Sequence, residues 1–180
     1  MLQQQKIPSY DLTASRLNCG MSLGAFDCGD EDLNSFLKED ALAYQEKALV
    51  NTYVCFHKNA PVGFYSVCSD AIKLDESEKL QAFGSKKPHR DYPAVKIARL
   101  GVAMGGQNRG VGTFMVKLAI GQAISVSKEI GCRFVTVDAY PKDKVLAFYS
   151  KLGFTKNSAD KSGSNVSMRL DLISFLRERK

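Results

Sequence analysis

Hydrophobic and polar positions switch between two periods along the chain, and each switch marks an element. Residues 10–17 alternate weakly and read as a first strand. From Asp30 to about Lys47, Leu33, Phe36, Leu37, Ala41 and Tyr44 recur at helical spacing. Asp30, Glu31 and Asp32 stand at the front of that run, where a helix dipole favours negative charge. Residues 51–57 and 62–68 are rich in β-branched and aromatic side chains and read as a hairpin, with Pro61 in the connecting turn. Residues 75–93 are polar and interrupted by Gly84, Pro88 and Pro93. They read as a loop with one helical turn around Glu78 to Phe83.

The second half is more strongly patterned. Residues 96–104 form a strand with Ala98, Leu100, Val102 and Met104 on one face. A glycine-rich turn, Gly105 to Gly112, leads into a helix from Thr113 to about Glu129 whose inner face carries Val111, Phe114, Met115, Leu118 and Ala119. Gly131 is a natural C′ residue for it. Residues 132–139 alternate as a strand, and Pro141 suits the first turn of a further helix through Val145, Leu146, Phe148, Tyr149 and Leu152 to Gly153. Phe154 and residues 165–172 supply late strands, and a basic tail closes the chain. No repeat or linker interrupts this α/β pattern. The expectation is a single domain over residues 1–180 with its core at about 10–172.

Composition narrows the function classes. With 44% hydrophobic and 24% charged residues the 180-residue chain has an ordinary globular balance. Its net charge of +6 suits an anionic partner, and equally suits plain solubility. The five cysteines show no C-x-x-C spacing, and there are only two histidines, so neither a disulfide framework nor a metal site is expected. No run has signal-peptide or membrane-spanning character, which points to the cytoplasm and away from a membrane partner. Lys86, Lys87 and Arg90 form a basic patch that reads either as a solvated loop or as a polyanion contact. Arg99 falls inside an apolar run, where a buried guanidinium needs either an ion-pair partner or a substrate.

A strand, a glycine-rich turn and a helix in succession aim free N–H groups and the positive end of a helix dipole at one spot, which binds phosphate. Spacing decides which phosphate. A P-loop requires Lys after its last glycine, and Val111 follows Gly110. The dinucleotide fingerprint requires a third glycine where Met115 stands. What fits is Q/R-x-x-G-x-G, as Gln107-x-x-Gly110-x-Gly112. This resembles the acetyl-CoA pyrophosphate loop of the GNAT acetyltransferases, and Ala147-Phe148-Tyr149-Ser150-Lys151-Leu152-Gly153-Phe154 resembles that family's late helix. Phe26-Asp27-Cys28-Gly29, Leu33-Asn34-x-Phe36-Leu37, Thr52-Tyr53-Val54, Gly63-Phe64-Tyr65 and Ala98-Arg99-Leu100-Gly101-Val102 are similar to the toxin branch of the family. That branch belongs to type II toxin–antitoxin modules and acetylates the α-amine of aminoacyl-tRNA. Two positions depart from it: Gly101 stands where Ala is common and Ala103 where Asp is frequent.

The resemblance implies a GNAT fold, a mixed and mostly antiparallel sheet flanked by helices, with strands splayed at the acetyl-CoA site. It implies that the backbone of Leu100, Gly101 and Val102 holds the acetyl-pantetheine arm. Gln107, Asn108, Arg109, Gly110, Val111 and Gly112 would cradle the pyrophosphate, Phe148 would line the cofactor, and Tyr149 would act as general acid on the departing thiolate. Tyr149 reads alternatively as a core aromatic on an amphipathic helix. Arg99, Lys86, Lys87 and Arg90 are candidate substrate contacts. An α-amine titrates near 8 and a lysine amine near 10.4, so an aminoacyl ester needs a general base least. The expected partners are aminoacyl-tRNA, a ribbon–helix–helix antitoxin and a second copy of the chain. A housekeeping acetyltransferase of a small amine, polyamine or protein amine, or a non-catalytic acetyl-CoA-binding regulator, are the alternatives.

Overall fold

The computed structural model describes residues 5–84, 89–159 and 163–177. In chain order it contains β1 (Leu12–Arg16), α1 (Glu31–Ser35), a π-helical turn (Phe36–Asp40), α2 (Ala41–Glu46), β2 (Asn51–His57) and β3 (Ala60–Ile72). These are followed by α3 (Glu76–Phe83), β4 (Tyr92–Val102), α4 (Val111–Val126) and β5 (Phe134–Ala139). The chain then ends in α5 (Asp143–Lys151), β6 (Thr155–Lys156), β7 (Val166–Asp171) and α6 (Ile173–Arg177). The strands form one seven-stranded sheet in the order β1-β2-β3-β4-β5-β7-β6, and the pairs β1–β2, β2–β3, β5–β7 and β6–β7 are antiparallel.

Contacts group the chain into two compact units, each drawn from two stretches: Met1–Cys68 with Ile97–Ala119, and Ser69–Lys96 with Ile120–Lys180. In the first unit the expected helix over residues 30–47 is present. Asp30 caps it by accepting from the Leu33 N–H at 3.1 Å. Midway the helix widens into the π turn, where the Ala41 N–H reaches the Phe36 carbonyl five residues back. Phe36, Leu37 and Ala41 from its inner stripe pack with Leu17, Phe26, Cys28, Val54 and Phe64. The one buried polar pair within the β2–β3 hairpin, Thr52 and Ser66, is satisfied by a mutual hydroxyl bond of 2.8 Å.

The hairpin turn is shorter than the sequence suggests. Lys58 (φ 49°) and Asn59 (φ 64°) are both left-handed and close it in two residues, the geometry that matches strand twist. Pro61 therefore lies inside β3, not in the turn. It pairs with Phe56 at the register shift after Cys55, where the ladder is already interrupted.

In the second unit, the helical turn expected around Glu78 to Phe83 is the longer helix α3, Glu76–Phe83. A capping box starts α3: the Asp75 carboxylate accepts from the Glu78 N–H, and the Glu78 carboxylate accepts from the Asp75 N–H, both at 2.8 Å. Gly84 closes the helix in the left-handed conformation, and β4 begins at Tyr92, four residues before the expected start. Ile72, Leu74, Tyr92, Ala94 and Phe134 form one buried cluster of this unit. Pro141 precedes α5 instead of lying in its first turn, because Lys142 takes the N-cap position. The C-terminal segment contributes the short helix α6.

Candidate functional site

In the first unit, β4 runs into the strand-to-helix turn that the sequence singles out. Gly101 is buried because a Cβ there would lie 2.7 Å from Phe64 Cε1, so the backbone of β4 rests directly on the ring. Leu100 and Val102 flank it and are half-buried. After Val102 the chain turns through a short 3₁₀ segment, Met104–Gly106. Two backbone bonds hold this segment, Ala103 N–H to Val62 O and Met104 N–H to Asp27 O, each at 2.9 Å.

The loop itself turns through two left-handed residues, Asn108 (φ 59°) and Gly110 (φ 93°). Asparagine tolerates that region better than other residues with a Cβ, and glycine adopts it freely. The first helical bond of α4 runs from the Phe114 N–H to Gly110 O at 3.0 Å. The N–H groups of Val111, Gly112 and Thr113 consequently have no acceptor within the helix. They are the amides that an anion at a helix N-terminus uses. Val111, Met115 and Val116 anchor α4 with no exposure, and Met115 lies against Gly63, whose Cβ would approach it to 2.8 Å. The residue that breaks the dinucleotide fingerprint is thus a packing residue of the helix.

The side chains of Gln107 and Arg109, the second expected to add charge at the anion, are both turned to the loop's own frame. Gln107 Nε2 donates to Cys28 O at 3.0 Å and to Val102 O at 3.2 Å, tying the loop to its neighbours. Arg109 donates through Nε to Gln5 O and through Nη1 to Gly105 O, both at 3.1 Å. Its carbonyl accepts from the Ile7 N–H at 2.9 Å. The guanidinium charge stays at the loop, but its geometry is fixed by backbone carbonyls.

Arg99 is exposed on β4, not buried as its apolar neighbours imply. Its guanidinium lies 4.7 Å over the Phe36 ring, which meets Tyr44 edge-on at 5.8 Å. Its face also carries buried Ile97 and Gly101, and the guanidinium reaches solvent over the Phe36 ring instead of entering the core with them. Phe36 sits at the start of the π turn, so the widened helix presents the ring to the strand.

In the second unit, α5 carries Phe148 and Tyr149. Tyr149 is 5% exposed and packs edge-on between Phe148 (5.0 Å) and Phe154 (5.4 Å). Burial among these rings disfavours the phenolate and pushes the hydroxyl's pKa well above the ordinary tyrosine value. The group is a proton donor throughout the neutral range. Asp138 on β5 pairs with Lys96 on β4. Arg90 is almost fully exposed, with Asp91 at 4.0 Å as its acidic neighbour. Lys86 and Lys87 lie outside the described residues. Among the described residues no group of three His, Cys, Asp or Glu side chains is placed to hold a metal, and no helix is long and apolar enough to cross a membrane.

Over 145 residues the chain is 26% identical to a tRNA-acetylating toxin of Mycobacterium tuberculosis, covering 81% of this chain and 85% of that protein. Its fold is similar to that of AtaT complexed with acetyl-methionyl-tRNAfMet, with a TM-score of 0.80, 24% identity and coverage of 94% of this chain and 100% of the other. It is similar also to a tyrosine-to-phenylalanine mutant of KacT, with a TM-score of 0.80, 23% identity and coverage of 93% and 99%. A third similar structure is a tyrosine-to-phenylalanine mutant of the AtaT toxin bound to the C-terminus of the antitoxin AtaR and acetyl-CoA. There the TM-score is 0.73, with 22% identity and coverage of 94% and 99%. The sequence profile of the acetyltransferase (GNAT) family matches residues 25–154, and the chain belongs to that family.

Proposed function

We propose that the chain is an acetyl-CoA-dependent N-acetyltransferase of the toxin type, which blocks translation by acetylating the α-amine of aminoacyl-tRNA. The observation that carries the acyl-donor half is the turn at Asn108 and Gly110, which leaves the amides of Val111, Gly112 and Thr113 without helical acceptors. The tRNA half is supported by the likeness to a tRNA-acetylating toxin and to a toxin solved with an acetylated aminoacyl-tRNA.

The loop fits the cofactor's diphosphate: its free amides are donors, and the held charge of Arg109 adds to the helix dipole. Acetyl-CoA supplies a thioester carbonyl open to attack by an amine. The backbone of Leu100, Gly101 and Val102 holds the acetyl-pantetheine arm as an added strand, and the Val102 N–H donates to the oxygen on which negative charge develops. Phe148 gives the arm an apolar wall. As the N–C bond forms and the C–S bond breaks, the Tyr149 hydroxyl donates its proton to the departing sulfur. The acceptor nitrogen loses one proton to solvent, and Tyr149 is reprotonated in turn. The pKa of Tyr149, raised by burial, keeps that proton in place until the sulfur needs it.

Arg99, whose guanidinium carbon lies 4.7 Å from the Phe36 ring centroid, binds a phosphate of the acceptor end, and Arg90, Lys86 and Lys87 are further candidate cations for the tRNA by their charge. The whole chain acts as one catalytic domain in the cytoplasm, as a homodimer, and a ribbon–helix–helix antitoxin neutralises it. The test is incubation with acetyl-CoA and total charged tRNA, followed by mass analysis of the released amino acids. N-acetylated amino acids are expected. Transfer to polyamines or protein lysines, with none to any charged tRNA, overturns the substrate assignment.

A further inference from the structure

Asn34 is a buried polar residue in α1 whose side chain makes no bond within its own helix. Only 7% exposed, it sends both ends of its amide into the preceding loop. Its Oδ1 accepts from the Cys28 N–H at 3.0 Å, and its Nδ2 donates to Asp27 Oδ1 at 2.8 Å. The same Asp27 oxygen accepts from the Gly29 N–H at 2.8 Å, and Gly29 is left-handed at φ 77°. Three bonds therefore fix the turn at residues 27–29 from the inside.

The outward carbonyls of that turn meet the strand-to-helix loop. Asp27 O accepts from the Met104 N–H at 2.9 Å, at the first residue of the 3₁₀ segment. Cys28 O accepts from Gln107 Nε2 at 3.0 Å, immediately after that segment, and the same Nε2 reaches Val102 O. The loop is thus pinned at both ends of its 3₁₀ segment by a turn that the Asn34 amide braces from the helix side, alongside a weaker bond from the Cys28 thiol to Asp30 O at 3.6 Å. We propose that Asn34, acting through the turn at Asp27, Cys28 and Gly29, is the positioning residue that sets the anion-binding loop of this enzyme. As a claim about acetyl-CoA it rests on the function proposed above.

The charged groups around this network are few. Lys38 acts on Asp27 and lines one cleft with it, together with the carboxylates of Glu31 and Glu39, while Asp30 lies beside Cys28. Replacing Asn34 by Asp sets a second carboxylate against that of Asp27. One carboxyl of such a pair holds its proton to higher pH than usual. When that proton sits on the substituted side chain, it restores the donor to Asp27 without moving any other atom. Replacing Asn34 by Leu removes both bonds at every pH.

The experiment measures amide hydrogen exchange across residues 103–112 in the unliganded protein, corrected for intrinsic rates, together with the dissociation constant for CoA. Wild type, Asn34→Asp and Asn34→Leu are compared from about pH 8 to about pH 5. Thermal unfolding of each variant confirms that it is folded. Both variants are expected to exchange faster in 103–112 at pH 8 and to bind CoA about tenfold more weakly, as the loss of a charge-assisted bond implies. Only Asn34→Asp recovers towards wild type as the pH falls. Unchanged exchange in 103–112 in the folded variants overturns the proposal, whatever happens to CoA binding. So does equal pH behaviour of the two variants. If the exchange changes as expected but the wild type binds no CoA, the positioning role stands and the function proposed above fails.

Discussion

Phe64 occupies the space that a side chain at Gly101 would need, its Cε1 lying 2.7 Å from the position of a Cβ there. Phe64 is in turn fixed by Phe26, edge-on at 5.6 Å, and by Phe36, stacked at 6.1 Å. The glycine at this point of β4 is therefore one half of a packed pair. Gly101→Ala is expected to destabilise the protein by about 1–3 kcal/mol, the cost of overpacking a filled core. If the β4 backbone receives the acyl arm as proposed, the variant should also raise the KM for acetyl-CoA, because that backbone must shift. In the double variant Gly101→Ala/Phe64→Leu the two changes should be less than additive in urea unfolding. Full additivity would show that the ring does not confine the strand.

The general-acid role proposed for Tyr149 separates chemistry from binding in a single variant. Tyr149→Phe keeps the rings packed between Phe148 and Phe154 and removes only the hydroxyl. Loss of a positioned general acid lowers kcat by about 10²–10⁴. The dissociation constant for acetyl-CoA and the thermal midpoint should stay close to wild type. The acid limb of the pH–rate profile belongs to the acceptor amine, near 8. Because burial raises the folded-state pKa of Tyr149, the alkaline limb should lie above the ordinary tyrosine value of about 10. By linkage, a raised pKa contributes stability that is complete below the unfolded value and is lost as the pH climbs above it. Stability of the wild type should thus fall more steeply above about pH 10 than that of Tyr149→Phe.

Glu78 and Arg169 form a buried pair of another kind. Their side chains are 8% and 12% exposed, and Arg169 Nη1 lies 2.6 Å from Glu78 Oε1. The same carboxylate accepts from the Ser158 N–H and closes the capping box of α3 through Asp75. Removing one partner leaves a charge buried without its counter-ion, so Glu78→Ala should cost about 3–5 kcal/mol in chemical denaturation. Replacing both at once, as Glu78→Leu/Arg169→Met, should cost less than the sum of the single changes.

That pair also explains what the sequence hid. The strand–turn–helix unit was legible because its glycines, its apolar strand and its helical stripe each belong to a different period. Helix α3 was legible only as one turn around Glu78 to Phe83, because the residue it buries is Glu78 while Leu80 is 56% exposed, so hydrophobic periodicity does not show its full length. The Asp75-x-x-Glu78 spacing was the one signal available for it. Pro61 sits inside β3 because the left-handed pair Lys58 and Asn59 closes the hairpin one step earlier and a register shift in β2–β3 accommodates the proline, and neither feature has a local hydrophobic pattern. Gln107 was found as a loop residue. Its bonds to Cys28 and Val102 are long-range or backbone-directed, and no local pattern announces them.

Arg99 bears most directly on the acceptor. Its guanidinium is held 4.7 Å from the Phe36 centroid, and a planar cation can stack in this way while still presenting N–H donors at its edge. Lysine keeps the charge but neither the plane nor the fork. If this edge binds a phosphate of the tRNA acceptor end, Arg99→Ala should lower kcat/KM for charged tRNA by about tenfold, the loss of one charge-assisted contact. The dependence of log KM on log salt should flatten by about one phosphate contact. Arg99→Lys should retain the salt slope and lose part of the affinity, and neither variant should alter acetyl-CoA binding. An unchanged salt slope in Arg99→Ala, measured on folded protein, would place the tRNA elsewhere and leave Arg99 as a cover for the Phe36 ring.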